Sequence, residues 1–279
     1  MPLKTILVGL TTKDNTATLL NFAVPLARKH GAHLIGLHTL EAIEVYPGIA
    51  MHIDAGVFAE FSRNQEEEAD AIEAIFDAHT KTEDFVCEYR RVKAQSKTAA
   101  DRIVESARAA DLVIMAHADD DVDRYDQRGI QRTVIQQSGR PVIIVPLGYD
   151  GPEIGNKIVL GWSDTREAAR AAHDLLMVAN AEAEVTVLRV ERNSSDELDD
   201  YDLLDLSSAL ARHDLNVNVR HVPQGAQGIG DVLVQSAFEQ GAGLVVTGAF
   251  GHSNVYDFVV GATSHSLLRD AKLPVLFSK

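Results

Sequence analysis

The sequence predicts two tandem, doubly wound α/β domains, each built on a five-stranded parallel sheet. Three observations carry this. Short β-branched apolar runs alternate with segments whose apolar residues recur at helical spacing, which is the pattern of a parallel sheet with helical crossovers. The pattern then repeats: Ile158-Val159-Leu160-Gly161-Trp162 restates Ile6-Leu7-Val8-Gly9-Leu10. Finally, a glycine-rich stretch leaves the apolar run Leu244-Val245-Val246-Thr247 and enters a helical segment. That is the edge where such sheets bind ligands.

In chain order, Ile6 to Leu10 is the first strand. Leu19, Leu20, Ala23, Leu26 and Ala27 then mark a helix stopped by Gly31, and Pro25 inside it predicts a kink. His33 to His38 is the second strand. An irregular stretch from Leu40 to Phe58 precedes a Glu-rich helix from Phe61 to His79. Phe85 to Val92 alternates as a strand, and Thr98 with Asp101 forms a capping pair for the next helix. Leu112 to Met115 is a buried strand, and Pro141 to Pro146 closes the first half. Tyr149 to Asn156 is the linker, giving domains at 1–148 and 152–279.

The second half follows with strand Ile158–Trp162, helix Thr165–Ala179, strand Val185–Val190, helix Leu203–Arg212, strand Val217–Val222 and helix Ile229–Gln240. After Leu244–Thr247 and the glycine loop come a helix with Leu267 and Leu268, then a last strand, Val275–Phe277. Ile158 lies 152 positions after Ile6, but Leu244 only 132 after Leu112, so the second copy is 20 residues shorter there. The stretch from Tyr46 to Phe58 is the expected insertion.

Composition bounds the partners. The 279 residues are 46% hydrophobic and 24% charged, an ordinary globular mixture. A net charge of -15 argues against nucleic acid and anionic membrane, both of which need basic surface. A single cysteine, Cys87, rules out an internal disulfide and fits a reducing compartment. No apolar run is long enough to span a bilayer, and Ile6–Leu10 is too short for a signal-peptide core. The expected location is the cytoplasm.

The loop is the main chemical signal. Gly248, Gly251 and Gly261 are spaced G-x2-G-x9-G between strand and helix. Glycines let backbone N–H groups approach an anion, and the helix end adds unpaired donors and a positive dipole. Thr263 and Ser264 add hydroxyls. Strand, G-x2-G-x9-G, helix and a Leu-Pro-Val strand together resemble the nucleotide loop of the universal stress protein family, and the resemblance runs over nearly the whole chain as two fused copies.

The resemblance implies ATP or AMP, with Mg2+, bound in the C-terminal half. It implies contacts from Gly248, Gly251, His252, Ser253, Gly261, Ala262, Thr263 and Ser264 on the phosphate side, with Ser163 and Val190 at the nucleoside; Trp162, the only tryptophan, either stacks on the base or packs in the core or an interface. It also implies a stress-response binding module, at most a weak ATPase. The two halves should pack as an internal pseudo-dimer through their final strands, covering both edges, and a homodimer of the whole chain is a further expectation. Two positions depart from the family pattern. Ala262 stands where Ser or Thr usually follows the third glycine. Ser163, and Thr11 in the first half, stand where an Asp commonly contacts nucleotide, with Asp164 one position on and aimed elsewhere by strand alternation.

The first half has lost the loop: Ala116, Asp119 and Gly129 occupy the three glycine positions. Asp119, Asp120, Asp121 and Asp123 would repel a polyphosphate. They are not a calcium loop, because Arg124 replaces the required Gly and Ile130 the closing Glu. No P-loop, complete G-x-G-x-x-G or G-x-S-x-G is present, and the eleven histidines, His30 and His33 included, show no H-x-x-x-H spacing. Cys87 alternates with apolar neighbours and reads as core. The competing readings are a scaffold that binds no nucleotide and acts through its surface, and an enzyme for another small ligand, for which no catalytic pair is visible.

Overall fold

A computed structural model describes residues 3–41, 48, 54–119, 126–191, 201–251 and 261–279. The first half contains β1 (Thr5–Gly9), α1 (Lys13–His30), β2 (His33–Leu40), α2 (Ala55–Thr80), β3 (Cys87–Lys93), α3 (Ala99–Ala107), β4 (Leu112–Ala116), α4 (Gln127–Gln137) and β5 (Val142–Val145). The second contains β6 (Lys157–Trp162), α5 (Arg166–Asp174), β7 (Glu184–Glu191), α6 (Tyr201–Ala211), β8 (Asn216–Pro223), α7 (Ile229–Gln240), β9 (Leu244–Gly248), α8 (Ala262–Asp270) and β10 (Val275–Ser278). A single 3-10 turn, Leu175–Met177, extends α5.

The ten strands form one sheet in the order β3-β2-β1-β4-β5-β10-β9-β6-β7-β8. Within each half all pairs are parallel and the order reverses between the first and fourth strands. The halves meet where β5 and β10 run antiparallel, with Phe277 opposite Val142 and Val275 opposite Ile144. The expected pseudo-dimer is therefore a continuous sheet. Each half supplies the edge that the other lacks, and all eight residues of the two strands are buried. The outer strands β3 and β8 remain as edges and carry charge. Arg91 of β3 is gripped by Glu66, Asp70 and Glu73 of α2 at 2.6–2.9 Å.

Local chemistry explains most element ends. α1 buries Leu19, Leu20, Ala23, Leu26 and Ala27 and stops at Gly31, whose φ of 58° suits glycine. It runs on through Pro25 as one helix. α3 opens with the Thr98–Asp101 capping box. α2 begins at Ala55, so the end of the stretch expected to be irregular is helical, capped by Asp54. α4 was hidden by the acidic residues before it, and Asp126 starts it by accepting the Gly129 N–H at 2.8 Å.

Helices cover both faces of the sheet, so strand interiors are apolar on both sides. The contact is close at Gly36 in β2, where an added Cβ would lie 2.6 Å from the ring of Phe76 in α2. Phe76 is itself 2% exposed. Gly36→Ala should therefore cost about 1–3 kcal/mol through overpacking, read as a lower urea midpoint. An unchanged midpoint would mean that α2 can lift off the sheet freely.

Candidate functional site

In the second half the strand order turns at β6 and β9, whose last paired residues are Gly161 and Thr247. Beyond them Gly248, Ala249, Phe250 and Gly251 form a fixed loop. The Ala249 N–H donates to the Ser278 carbonyl at 2.7 Å. The Phe250 N–H donates to the Ser264 hydroxyl oxygen at 3.1 Å, and Lys279 Nζ donates to the Phe250 carbonyl at 2.6 Å. Phe250 has a φ of 50°, unusual for a residue with a side chain. Its ring is 6% exposed and meets His265 edge-on at 5.6 Å.

Each loop glycine has a distinct physical reason. A Cβ on Gly248 would lie 2.6 Å from the Ala168 nitrogen, so the first turn of α5 sits directly on it. A Cβ on Gly251 would lie 3.0 Å from Glu167 Oε2. Neither glycine needs a left-handed backbone. Gly261 does, with a φ of 88°, and a Cβ there would also press on the Phe250 ring at 2.9 Å. The glycines thus serve packing and turn geometry on their Cβ sides.

The element at this edge that could hold an anion is the start of α8. Gly261 is its N-cap, and among the described residues no side chain caps its first turn. The backbone donors of that turn, the half-buried Thr263 and the hydroxyl proton of Ser264 fit a phosphate chemically. The first half differs at the matching place. There the Asp126 carboxylate already caps α4. Gln127 closes the preceding loop by bonding both the N–H and the C=O of Asp119 at 3.0 Å. The space among Leu10, Thr11, Thr39 and Ile130 at this edge is about 10 Å³, room for about one water and far too little for a nucleotide.

The structure brings Gly248, Gly251, Gly261, Ala262, Thr263 and Ser264 to one edge. Ser163 is exposed after β6, with its hydroxyl 3.3 Å from that of Thr165. Trp162 and Val190 lie on opposite faces of the sheet. Val190 packs with the α7 and α8 layer. Trp162 packs with the other layer, and its indole N–H donates to Asp202 at 2.8 Å, an acid that also pairs with Arg189. The indole is thus held in packing against α6, away from the face that carries Val190. His252 and Ser253 lie outside the described residues. Cys87 is half-buried against the core, and burial pushes its thiol pKa up, as suits an unreactive position.

Sequence reasoning missed two groups here, Glu167 and Lys279. Glu167 is 4% exposed and lies between Arg166, at 2.8 Å, and Lys279, at 3.5 Å. Burial alone would raise its pKa. The hydrogen bond from Arg166 and the charge of Lys279 outweigh that, holding the carboxyl below its ordinary range. An acid in the first turn of a helix is unremarkable in a sequence. Nothing local announces that it will face Gly251. Asp126 did carry a signal, being an Asp just before a helical run, but the neighbouring aspartates masked it.

Fold and edge geometry together define a tandem doubly wound α/β protein whose two halves differ at the edge where the strand order turns. The sequence pattern of the universal stress protein family matches residues 2–146 and again 156–279. The chain belongs to that family, as a tandem member. Among solved structures it is similar to a universal stress protein from Archaeoglobus fulgidus DSM 4304, with a TM-score of 0.69 at 16% identity over 98% of both chains. It is also similar to a putative universal stress protein from Pseudomonas aeruginosa UCBPP-PA14, with a TM-score of 0.60 at 15% identity over 99% of this chain and 93% of that one. These likenesses concern the fold. Among curated proteins none matches. No helix among the described residues is long and apolar enough to cross a membrane.

Proposed function

We propose that this chain is a cytoplasmic stress-response module that binds one adenine nucleotide, ATP or AMP, in its C-terminal half. One observation carries the reading: among the described residues α8 begins without a side-chain cap, whereas α4 is capped by its own Asp126 carboxylate. An anion can take the first position and is excluded from the second. The first turn of α8 and the Gly248–Gly251 loop would hold the phosphates, and Val190 would offer an apolar wall to the base. Mg2+ would screen the phosphate charge. Hydrolysis is slow or absent in this reading, because Glu167 is tied to two cations and is no free base. The chain is proposed to pair with a second copy of itself.

Calorimetric titration with Mg2+ and ATP should give one site per chain. A stoichiometry near two would overturn the assignment to one half. A second reading, a scaffold that binds no nucleotide, is favoured by one observation: the ionised carboxylate of Glu167 stands against Gly251. Absence of any heat with ATP and with AMP would decide for it.

A further inference from the structure

A separate cavity lies where the linker passes under α1. It encloses about 650 Å³, within the range of small-molecule sites, and it shares no residue with the edge at β6 and β9. We propose that this cleft binds a small organic amine, an apolar body carrying one protonated nitrogen. Its apolar walls come from Phe22, Pro25 and Leu26 of α1, from Tyr149 and Ile154 of the linker, and from Val178. The rings of Phe22 and Tyr149 meet edge-on at 6.3 Å.

The cleft is preformed. The Tyr149 hydroxyl donates to the Pro152 carbonyl at 2.7 Å, and the Asn180 N–H donates to the Gly155 carbonyl at 2.9 Å. These bonds fix the linker across the cavity. Burial pushes the Tyr149 hydroxyl up to about 12, so it stays protonated and keeps donating.

The polar groups select the charge of the occupant. Pro25 has no N–H, so the carbonyl of Asn21, one turn back in α1, lacks its helical donor. Asp150 and Glu153 add carboxylates to the lining, and that of Glu153 already accepts from the side-chain N–H groups of Asn156 and Asn180 at 3.1 and 3.2 Å. Asp150 makes no hydrogen bond or ion pair among the described residues. Lys29 also lines the cavity, but its ammonium is bonded to the Asn180 side-chain oxygen. Two carboxylates thus stand against one ammonium, and the Asp150 oxygens and the Asn21 carbonyl are the acceptors left over. A protonated amine completes them, and the aromatic rings favour a cation over an anion.

The test uses the full chain with 2-phenylethylamine and, as a probe of similar size and opposite charge, 3-phenylpropanoate. Ligand-observed NMR and calorimetry should show the amine binding at least about tenfold more tightly than the acid. Asp150→Asn changes an exposed side chain and should leave the thermal midpoint in place, whereas Asp150→Asn with Glu153→Gln keeps an amide oxygen for one of the two bonds from Asn156 and Asn180 and should lower the midpoint only slightly. The double variant should lower amine affinity by at least about tenfold. Acid binding as tight as amine binding, full amine affinity in the double variant, or no amine binding at millimolar concentration would each overturn the proposal.

Discussion

Ala262→Asp should abolish nucleotide binding without weakening the fold. Ala262 is exposed and is the first residue of α8. A carboxylate there puts negative charge into the first turn of α8, one position after its N-cap Gly261. Favourable interaction with the helix dipole is worth about 0.3–1 kcal/mol, so the thermal midpoint should hold or rise. The same charge would face the phosphates. At ~4 Å and an effective dielectric near 20 the repulsion is about 4 kcal/mol, or roughly a thousandfold in affinity. Measuring the midpoint and ATP binding on one sample separates a ligand effect from unfolding. Unchanged ATP binding would mean that α8 does not receive the phosphate.

Gly251→Asp is a less selective version of this experiment. From the sequence alone it should leave the fold intact, because Asp119 stands at the matching place in the first half. The structure changes that expectation. A Cβ at residue 251 meets the buried Glu167 carboxylate at 3.0 Å, and a second carboxylate would be forced against it. The first half avoids this conflict, since by the 152-residue offset Asn15 takes the place of Glu167. Gly251→Asp should therefore lose stability along with any ligand.

The second large effect is at Glu167 itself. Glu167→Ala should destabilise the protein by about 1.5–3 kcal/mol, the worth of its charge-assisted bonds, because the partners left behind, Arg166 and Lys279, both reach solvent. The effect should depend on pH. The folded-state pKa of Glu167 is depressed. Its contribution is fully present above the unfolded value of about 4.3 and is lost as pH falls through the lower folded value. Urea unfolding of wild type and variant should thus differ most near neutrality and converge in acid. A difference independent of pH would assign Glu167 a packing role alone.

Much of the fold was legible because parallel strands buried on both faces leave continuous apolar runs, and because the chain repeats itself. Ile6–Leu10 and Ile158–Trp162 announced the two first strands. Gly31 and Gly241 marked two helix ends, both at left-handed φ. The joining of the halves through β5 and β10 followed from short apolar strands needing a partner. What escaped was long-range. α4 disappeared behind aspartates. The candidate site divides the same way. Its glycines and the start of α8 were visible as spacing. The contact between Glu167 and Gly251 joins residues far apart in sequence, and so does the link from Lys279 to the Phe250 carbonyl. Trp162 stood beside the expected site in sequence, yet its bond to Asp202 holds it on the opposite face from Val190.

Native mass spectrometry of the intact chain, with Mg2+ and ATP added, tests the central claim most directly. The account predicts one adenine nucleotide per chain for wild type and none for Ala262→Asp under the same conditions. Two nucleotides per chain, or a nucleotide retained by Ala262→Asp, would contradict it.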